Sequence, residues 1–310
     1  MRKSSIAAIT AAAGISAFGV YLSNKIMFMK LKDPEEIEQR EQEAGFYDPD
    51  EYLKLIKKEV RIPSPAGYDI HTVFLEKSPG APYMIFCHGV TETKINSLKY
   101  VRLFMDKGFN AVIYDHRRHG DSGGKSTSYG HFEKNDLKAV VDCLIEEEGN
   151  QAVFGIHGES MGAVTMLLYA GSVEDRAAFY IADCPFSDLT EQLSFLMTKS
   201  PRSALLSKMA LSLAGSFIFI RDRYMIKGVS PKQAVKHIQK PVLFIHSRHD
   251  SFIPSHMTET LYELKNGPKT LFIPEEGGHA QSFTANPEAY SKEVDRFLQE
   301  HFNTASSTYT

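Results

Sequence analysis

The stretch Ala152-Val153-Phe154-Gly155-Ile156-His157-Gly158-Glu159-Ser160-Met161-Gly162 decides the fold, because a buried-type apolar run gives way within a few residues to a helical pattern. Residues 152–157 predict a strand, and residues 161–171 predict the helix that follows it. The Gly-x-Ser-x-Gly pattern between them is typical of a strained strand-turn-helix connection that lifts a serine hydroxyl above a sheet edge. An ordinary glycine-rich turn is the alternative. The sequence therefore predicts Ser160 as a candidate nucleophile, with the helix N-terminus directed at developing negative charge.

The same alternation of apolar runs and helical patterns continues on both sides of this stretch. Strands are predicted at residues 83–87, 111–114, 178–182, 241–246 and 270–273, and helices at residues 97–107, 133–148, 256–265 and 287–302. Continuous apolar strands between helices are typical of a parallel sheet covered on both faces. Residues 59–62 and 70–75, separated by a proline- and glycine-containing turn, predict a hairpin before it. The predicted class is α/β with a mostly parallel sheet.

The alternation stops between residues 186 and 228, in a long interval rich in Leu, Phe, Ile and Met. Because the interval is too long and apolar for a plain loop, we interpret it as a helical insert, a lid over the site. Ser200-Pro201-Arg202 and Gly215 break its helical pattern. Additional core packing and contact with a membrane surface are the alternatives.

Two later strand ends carry the partners that a nucleophilic serine requires. A serine hydroxyl needs a base to take its proton and an acid to orient that base. Asp250 follows the strand at residues 241–246, and His279 follows the strand at residues 270–273. Because the carboxyl ends of parallel strands meet at one sheet edge, Ser160, Asp250 and His279 are predicted to converge as a catalytic triad.

Rival residues exist for each role. Asp183 and Asp188 follow the strand at residues 178–182, but Asp183 is interpreted as a cap or anchor of the insert. Other histidines and one carboxylate are given structural roles: His246, His249 and His256 lie at the wrong strand end to complete the order, and Glu159 is expected to hydrogen-bond rather than react.

The oxyanion hole is predicted from two backbone N–H groups. One belongs to Met161, the residue after the nucleophile, and the second to Val90 in the loop after residues 83–87. Such donors are oriented in advance toward charge that appears only in the transition state. His88 is interpreted as a residue that shapes this loop.

Composition and residue spacing argue against nucleic-acid binding, a disulfide framework and a metal site. The chain has 310 residues, a formal net charge of −3 and dispersed charges of both signs, so a nucleic-acid binder is not indicated. Cys87, Cys143 and Cys184 have no metal-like spacing and are expected to be reduced. Residues 115–124 are dense in His and Asp, but without a further ligand set they predict a tight loop that braces the serine turn, not a metal site.

The amino-terminal segment differs from the rest of the chain. Residues 4–24 contain no charged residue, and residues 1–32 are predicted to form a single-pass membrane anchor that places the protein at the cell membrane. A cleaved secretory signal and a buried globular helix are the alternatives. Basic residues flank the span on both sides, so the positive-inside rule gives no orientation. Residues 33–58 predict a helical spacer with Asp33 as N-cap, residues 59–302 the main domain, and residues 303–310 a disordered tail.

Taken together, several motifs resemble the α/β-hydrolase superfamily: Cys87-His88-Gly89, residues 114–124, Gly158-Glu159-Ser160-Met161-Gly162, Asp250 and Gly278-His279. The similarity covers about residues 60–302 and is greatest to the serine-aminopeptidase-like, monoglyceride-lipase-like branch in its membrane-tethered bacterial form. The resemblance implies an eight-stranded, mostly parallel sheet, a lid after the sixth strand and no cofactor. Members include esterases, lipases, thioesterases and peptidases, so it indicates chemistry better than substrate.

The expected function is therefore that of a serine hydrolase cleaving carboxylic esters through an acyl-enzyme. The apolar insert favours a small-molecule ester or lipid-like substrate, and the amino-terminal helix a membrane contact. A peptidase or amidase with the same triad is one alternative, and a non-catalytic binding protein on the same fold is another.

Overall fold

Eight strands form one sheet in the computed structural model, which describes residues 2–198 and 204–303. They are β1 (Ile56–Pro63), β2 (Asp69–Leu75), β3 (Tyr83–Cys87), β4 (Asn110–Tyr114), β5 (Phe154–Glu159), β6 (Tyr180–Asp183), β7 (Val242–Ile245) and β8 (Lys269–Phe272). Their spatial order is β1-β2-β4-β3-β5-β6-β7-β8. β1 and β2 are antiparallel and the pairs from β4 to β8 are parallel, which confirms the predicted α/β class.

Helices connect the strands and cover both faces. They are α1 (Arg2–Met27), α2 (Pro34–Glu43), α3 (Pro49–Leu55), α4 (Leu98–Asp106), α5 (Glu133–Glu148), α6 (Met161–Ser172), α7 (Leu189–Thr198), α8 (Ala204–Asp222), α9 (Pro231–Ala234), α10 (His256–Leu264), α11 (Ser282–Ala285) and α12 (Pro287–Leu298). The predicted tail beyond residue 303 and the predicted break at Ser200-Pro201-Arg202 lie outside the described residues.

The register of the central strands sets the position of the site. Cys87 of β3 pairs with Gly158 of β5, Glu159 pairs with Asp183 of β6, and Asp183 pairs with Ile245 of β7. The carboxyl ends of these strands are therefore level, and the loops that follow them meet at one edge. β5 extends to Glu159, beyond the predicted end at residue 157, because this pairing with β6 continues to the serine turn.

Two apolar cores lie on opposite faces of the sheet. One contains Leu137 and Val141 of α5 with Met166 and Leu167 of α6. The other contains residues of α4 and α12 and also Ile37 of α2. Because Ile37 is fully buried there, α2 belongs to the packed domain and is more than the predicted spacer.

The predicted spacer also differs in its boundaries. Asp33 caps α2 as predicted, with its side chain accepting the N–H of Glu35 at 3.0 Å. Residues 56–58, assigned to the spacer from the sequence, belong to β1, because Ile56 and Lys58 pair with Leu75 and Phe74 of β2. The hairpin therefore begins earlier than its apolar pattern indicates.

The amino-terminal helix α1 packs along α8 of the insert. The ring of Phe217 lies against Gly19, where a Cβ would approach within 2.3 Å, and Arg221 donates to Ser23 Oγ at 2.8 Å and Asn24 Oδ1 at 2.6 Å. Since both contacts advance by four residues, the two helices run side by side in the same direction. The predicted insert thus contains helices α7 and α8, and α8 packs against α1.

The helix α1 occupies most of residues 1–32, for which a single-pass membrane anchor is predicted. Within the part of the chain that the structure describes, no helix is both long and apolar enough to cross a membrane. The end of α1 is packed on the domain: Met27 is buried, its carbonyl accepts the Thr127 N–H at 3.0 Å, and Tyr129 donates to the Ile26 carbonyl at 2.9 Å.

Candidate active site

The turn between β5 and α6 holds Ser160 in a strained backbone conformation. Its φ is +54° and its ψ is −115°, a region that residues with a Cβ rarely adopt. The neighbouring glycines permit the turn. A Cβ on Gly162 would lie 2.0 Å from the Cys87 carbonyl oxygen, and one on Gly158 would lie 2.5 Å from the Ala163 nitrogen. Strand and helix can cross at this distance only because both positions are glycine.

Ser160, His279 and Asp250 form a continuous hydrogen-bonded chain. The Ser160 hydroxyl lies 2.9 Å from His279 Nε2, and His279 Nδ1 lies 2.7 Å from Asp250 Oδ2. An ionised carboxylate only accepts hydrogen bonds, so Nδ1 carries the proton and Nε2 is free to accept from the serine. The side chains predicted from three separate strand ends are thus brought together in the geometry of a nucleophile, a base and an orienting acid.

Asp250 is held by more partners than the sequence indicated. Its Oδ1 accepts the N–H groups of Phe252 at 2.7 Å and Ile253 at 2.9 Å, and its Oδ2 also accepts from His246 Nε2 at 3.0 Å. Burial opposes ionisation, but the hydrogen bonds from His246 and His279 outweigh it and hold the pKa of Asp250 well below its usual value. His246, discounted from the sequence as a base, therefore helps to fix the acid through the same oxygen that His279 contacts.

The rival acids lie elsewhere. Asp183 is fully buried, accepts from Ser282 Oγ at 3.0 Å, and has its pKa raised to about 6 by burial and by the charge of Glu159. Asp188 caps α7 through the N–H groups of Thr190 at 2.9 Å and Glu191 at 3.3 Å. The capping role expected of Asp183 thus belongs to Asp188, since Asp183 lies inside the sheet.

The two predicted oxyanion donors both lie beside Ser160. Met161 is the first residue of α6, and the first N–H groups of a helix have no intrahelical acceptor. Val90 lines the cavity next to Ser160. The loop that carries Val90 is fixed by histidines: the Thr91 N–H donates to His119 Nε2 at 3.1 Å, and His88 Nδ1 donates to the Gly89 carbonyl at 2.7 Å. Residues 115–124 therefore brace this loop, not the serine turn as predicted.

A buried ion pair lies beneath the serine turn. Glu159 is 2.7 Å from Lys99 Nζ and accepts from Tyr100 at 2.8 Å and Asn96 at 2.9 Å. Burial opposes its ionisation, but the charge of Lys99 and these hydrogen bonds lower the pKa of Glu159 to about 2. Glu159 thus has the predicted hydrogen-bonding role, and its side chain joins α4 to the turn.

One group of potential metal ligands is occupied by a lysine. His71, Asp115 and Asp121 offer ligand atoms within 4.8 Å of one another. Lys94 Nζ lies 2.7 Å from Asp115 and 3.0 Å from Asp121, so an ammonium already forms an ion pair with each carboxylate. We interpret this group as an ion-pair cluster that fixes residues 115–121 against the loop after β3.

Two cavities adjoin Ser160. An apolar cavity of about 200 Å³ is lined by Met161 of α6 and by residues of α1 and the insert, among them Phe186, Leu193 and Leu196. The second, of about 440 Å³, also reaches His279; we call it the polar cavity because its wall includes the charged side chains of Lys32, Arg40 and Glu92. Ser160 and Val90 line both, so a bound molecule that reaches the serine can extend into each.

The amino-terminal segment supplies wall residues that sequence reasoning missed. Met29 lines both cavities, while Lys32, Arg40 and Phe46 line the polar one. The backbone is pinned there, because the Lys32 N–H donates to the Thr91 carbonyl at 3.2 Å and Arg118 donates to the Met29 carbonyl at 3.0 Å. The local sequence pattern of residues 25–46 does not predict this role, because it depends on contacts with residues far away in the sequence.

Comparison with known proteins supports the fold and the class of chemistry. The family model described as serine aminopeptidase, S33 matches residues 81–219. The Bacillus subtilis (strain 168) "Uncharacterized protein YqkD" is 46% identical over 299 residues, covering 96% of this chain and 97% of that protein. Lysophosphatidylserine lipase ABHD12 of Danio rerio is 24% identical over 206 residues, covering 62% of this chain and 51%, about half, of that protein.

A solved structure shows the same fold. The Pyrococcus furiosus esterase Pf2001 superimposes with a TM-score of 0.66 at 23% sequence identity, covering 82% of this chain and 96% of that one. At this identity the likeness concerns the fold. The chain therefore shares the overall fold of that structure.

Proposed function

This chain belongs to the α/β-hydrolase superfamily, in the branch of the serine aminopeptidase S33 model, and from that premise we propose that it is a serine hydrolase that cleaves carboxylic esters of acyl or lipid-like substrates. The observation that carries the proposal is the hydrogen-bonded chain from Ser160 through His279 to Asp250, with distances of 2.9 and 2.7 Å. The names of two similar proteins, an esterase and a lysophosphatidylserine lipase, agree with this class.

The proposed mechanism has two steps. His279 Nε2 takes the Ser160 proton as the oxygen attacks the ester carbonyl, and the N–H groups of Val90 and Met161 stabilise the negative charge on that carbonyl oxygen. The His279 imidazolium then protonates the leaving alcohol, which yields an acyl-Ser160 ester. Water, deprotonated by His279, attacks this ester; the imidazolium then returns the proton to the Ser160 oxygen as the acyl–oxygen bond breaks, and the acid is released. Asp250 stabilises the imidazolium in both steps.

The apolar cavity supports an acyl substrate. Its wall comes from the insert and the end of α1, including Ile26, Phe186, Leu193 and Leu196. A hydrocarbon chain placed there leaves water, which contributes about 0.8 kcal/mol per buried CH₂ group. A chain of several carbons would therefore gain enough from this cavity to orient its carbonyl carbon at Ser160.

Labelling with a fluorophosphonate tests the proposed nucleophile. The parent protein is expected to form a phosphonylated adduct at Ser160, because the probe reacts with a serine activated by a base. The Ser160→Ala variant is expected to give no adduct by intact-mass analysis. An adduct that persists in this variant would show that another residue is the nucleophile.

A peptidase of the same triad is the second candidate, favoured by the description of the matching family model. The two are distinguished by comparing p-nitrophenyl esters of graded chain length with aminoacyl anilides on the same protein. The ester proposal expects turnover that rises with acyl length until the apolar cavity is filled. Faster turnover of the anilides than of every ester would favour the peptidase.

We also propose that α1 and α8 attach the protein to an anionic membrane surface. Exposed large apolar residues are concentrated there, among them Ile15, Phe18 and Tyr21 of α1 and Met209 and Ile220 of α8. Residues 1–32 include five basic and no acidic residues, Arg2, Lys3, Lys25, Lys30 and Lys32. An apolar face beside basic residues is the composition of interfacial helices, and the end of α1 also lines the apolar cavity.

Cosedimentation with vesicles containing about one third phosphatidylglycerol tests this attachment. The double variant Phe18→Asp/Ile220→Asp is expected to lower the vesicle partition coefficient about tenfold or more, because two apolar contacts become charged. Leu53→Asp serves as the matched control, since Leu53 is 64% exposed on α3, away from this face. Equal loss in both variants, or no loss in the double variant, would contradict the proposal.

A further inference from the structure

The polar cavity beside Ser160 is built by charged side chains from segments far apart in sequence. Lys32 and Arg40 come from the amino-terminal segment, Glu92 from the loop after β3, and Lys99 from α4. Together with Glu41 and Glu159 they make three cations and three carboxylates. Because the wall of this cavity, unlike that of the apolar cavity, offers charged hydrogen-bonding groups, it suits the alcohol part of an ester better than the acyl chain.

The charges of this wall are not equally accessible. The carboxylates are buried, with side-chain exposures of 5% for Glu41, 10% for Glu92 and 4% for Glu159. The side chains of Lys32 and Arg40 are 45% and 42% exposed. The buried carboxylates therefore hold the two cations in place. The charged groups of this wall that are most accessible to a ligand are the cations of Lys32 and Arg40.

Unused hydrogen-bond donors point to an anionic ligand. Two nitrogens of Arg40, Nε and Nη2, donate hydrogen bonds to Glu41. Nη2 also donates to Glu92 and Asn96. The third nitrogen, Nη1, makes one hydrogen bond, to Glu92 at 3.3 Å. Lys32 Nζ contacts Glu92. Since guanidinium Nη1 carries two N–H groups and an ammonium three, both residues keep N–H groups without an acceptor among the described residues.

We propose that Lys32 and Arg40 form a subsite for an anionic group, a phosphate or a carboxylate, carried by the alcohol part of the substrate. The inference rests on the ester hydrolase proposed above and adds its leaving-group specificity. An ester bound at Ser160 with its acyl chain in the apolar cavity places its alcohol in the polar cavity. Two charge-assisted hydrogen bonds there select an anionic alcohol over a neutral one of equal size.

Short-chain esters test the subsite without interference from membranes. Hexanoyl esters of glycerol, glycerol 3-phosphate, glycerophosphocholine and glycolate differ in the charge on the alcohol and separate phosphate from carboxylate. Arg40→Met is expected to lower kcat/KM for the glycerol 3-phosphate ester, the glycolate ester or both about tenfold or more, and for the neutral glycerol ester by less than about threefold. Lys32→Met is expected to follow the same pattern with a smaller loss.

The matched control is Arg296→Met. Arg296 is also an exposed arginine held by two carboxylates, Glu293 and Glu300, but it lies on α12 and does not line the cavity. This variant is expected to leave kcat/KM for all the esters unchanged. Equal losses on anionic and neutral esters in Arg40→Met would show that Arg40 only holds α2 in place, which overturns the subsite.

A binding measurement separates this inference from the proposed activity. Glycerol 3-phosphate is titrated into the Ser160→Ala protein by calorimetry, with and without Arg40→Met. Binding that Arg40→Met weakens about tenfold or more supports the subsite, even where no ester is hydrolysed. Absence of binding, or binding indifferent to Arg40, overturns it while leaving ester hydrolysis at Ser160 intact.

Discussion

Replacing Ser160 by alanine is expected to lower kcat for p-nitrophenyl hexanoate at least about ten-thousandfold. The variant loses the oxygen that forms the covalent bond, and the remaining oxyanion donors and binding contacts give only the residual rate that such sites retain without a nucleophile. The measurement is steady-state hydrolysis at pH 7.5 with the spontaneous rate subtracted. The substitution keeps the Cβ, so the strained turn with its φ of +54° should fold as in the parent.

The matched control is Ser172→Ala, at the other end of the same helix. Ser172 donates to the Leu168 carbonyl at 2.6 Å and does not line either cavity. Its activity is expected to stay within about twofold of the parent, and thermal unfolding of both variants should be similar. A loss of less than about a hundredfold in Ser160→Ala, in a protein that unfolds normally, would contradict the assigned nucleophile.

The presence and order of the parallel strands and the residues of the triad could be predicted because they depend on short-range patterns. Ser160, Asp250 and His279 each lie in the turn or loop that follows an apolar run, and parallel strands bring their carboxyl ends to one edge of the sheet. Ser160, Asp250 and His279 follow from these two facts. The apolar pattern alone did not predict the carboxyl end of β5, because pairing with β6 extends the strand through Glu159.

The polar side of the site could not be predicted in the same way. Arg40 is one of several charged residues in a helix that the sequence predicts to be an exposed spacer. Its hydrogen-bond partners Glu92 and Asn96 are 52 and 56 positions away in the sequence. Lys99 reads as an exposed residue in a helix, yet it is buried against Glu159. No local periodicity encodes such pairings, since they arise only when α2 and α4 pack around the loop after β3.

The Asp250→Asn variant is expected to lower kcat about 10³- to 10⁴-fold with little change in KM. An asparagine can offer its NH₂ group to His279 Nδ1, which favours the tautomer that cannot accept the Ser160 proton, and it cannot stabilise the imidazolium. The measurement is the kcat of ester hydrolysis, with Asp183→Asn as the control. Asp183 is a second buried carboxyl group near this edge and contacts Ser282, not His279, so its variant should lose less than about tenfold.

Unfolding gives a second readout for the same substitution. The native state lowers the pKa of Asp250, so its carboxylate stabilises the fold above the unfolded-state pKa of about 3.9, and this contribution is lost as the pH falls toward the native-state value. In Asp250→Asn the free energy of unfolding should therefore depend less steeply on pH below about 4. If Asp183→Asn loses more activity than Asp250→Asn, the orienting acid is Asp183, and the chain from Ser160 through His279 would have to end at a carboxylate other than the one it contacts at 2.7 Å.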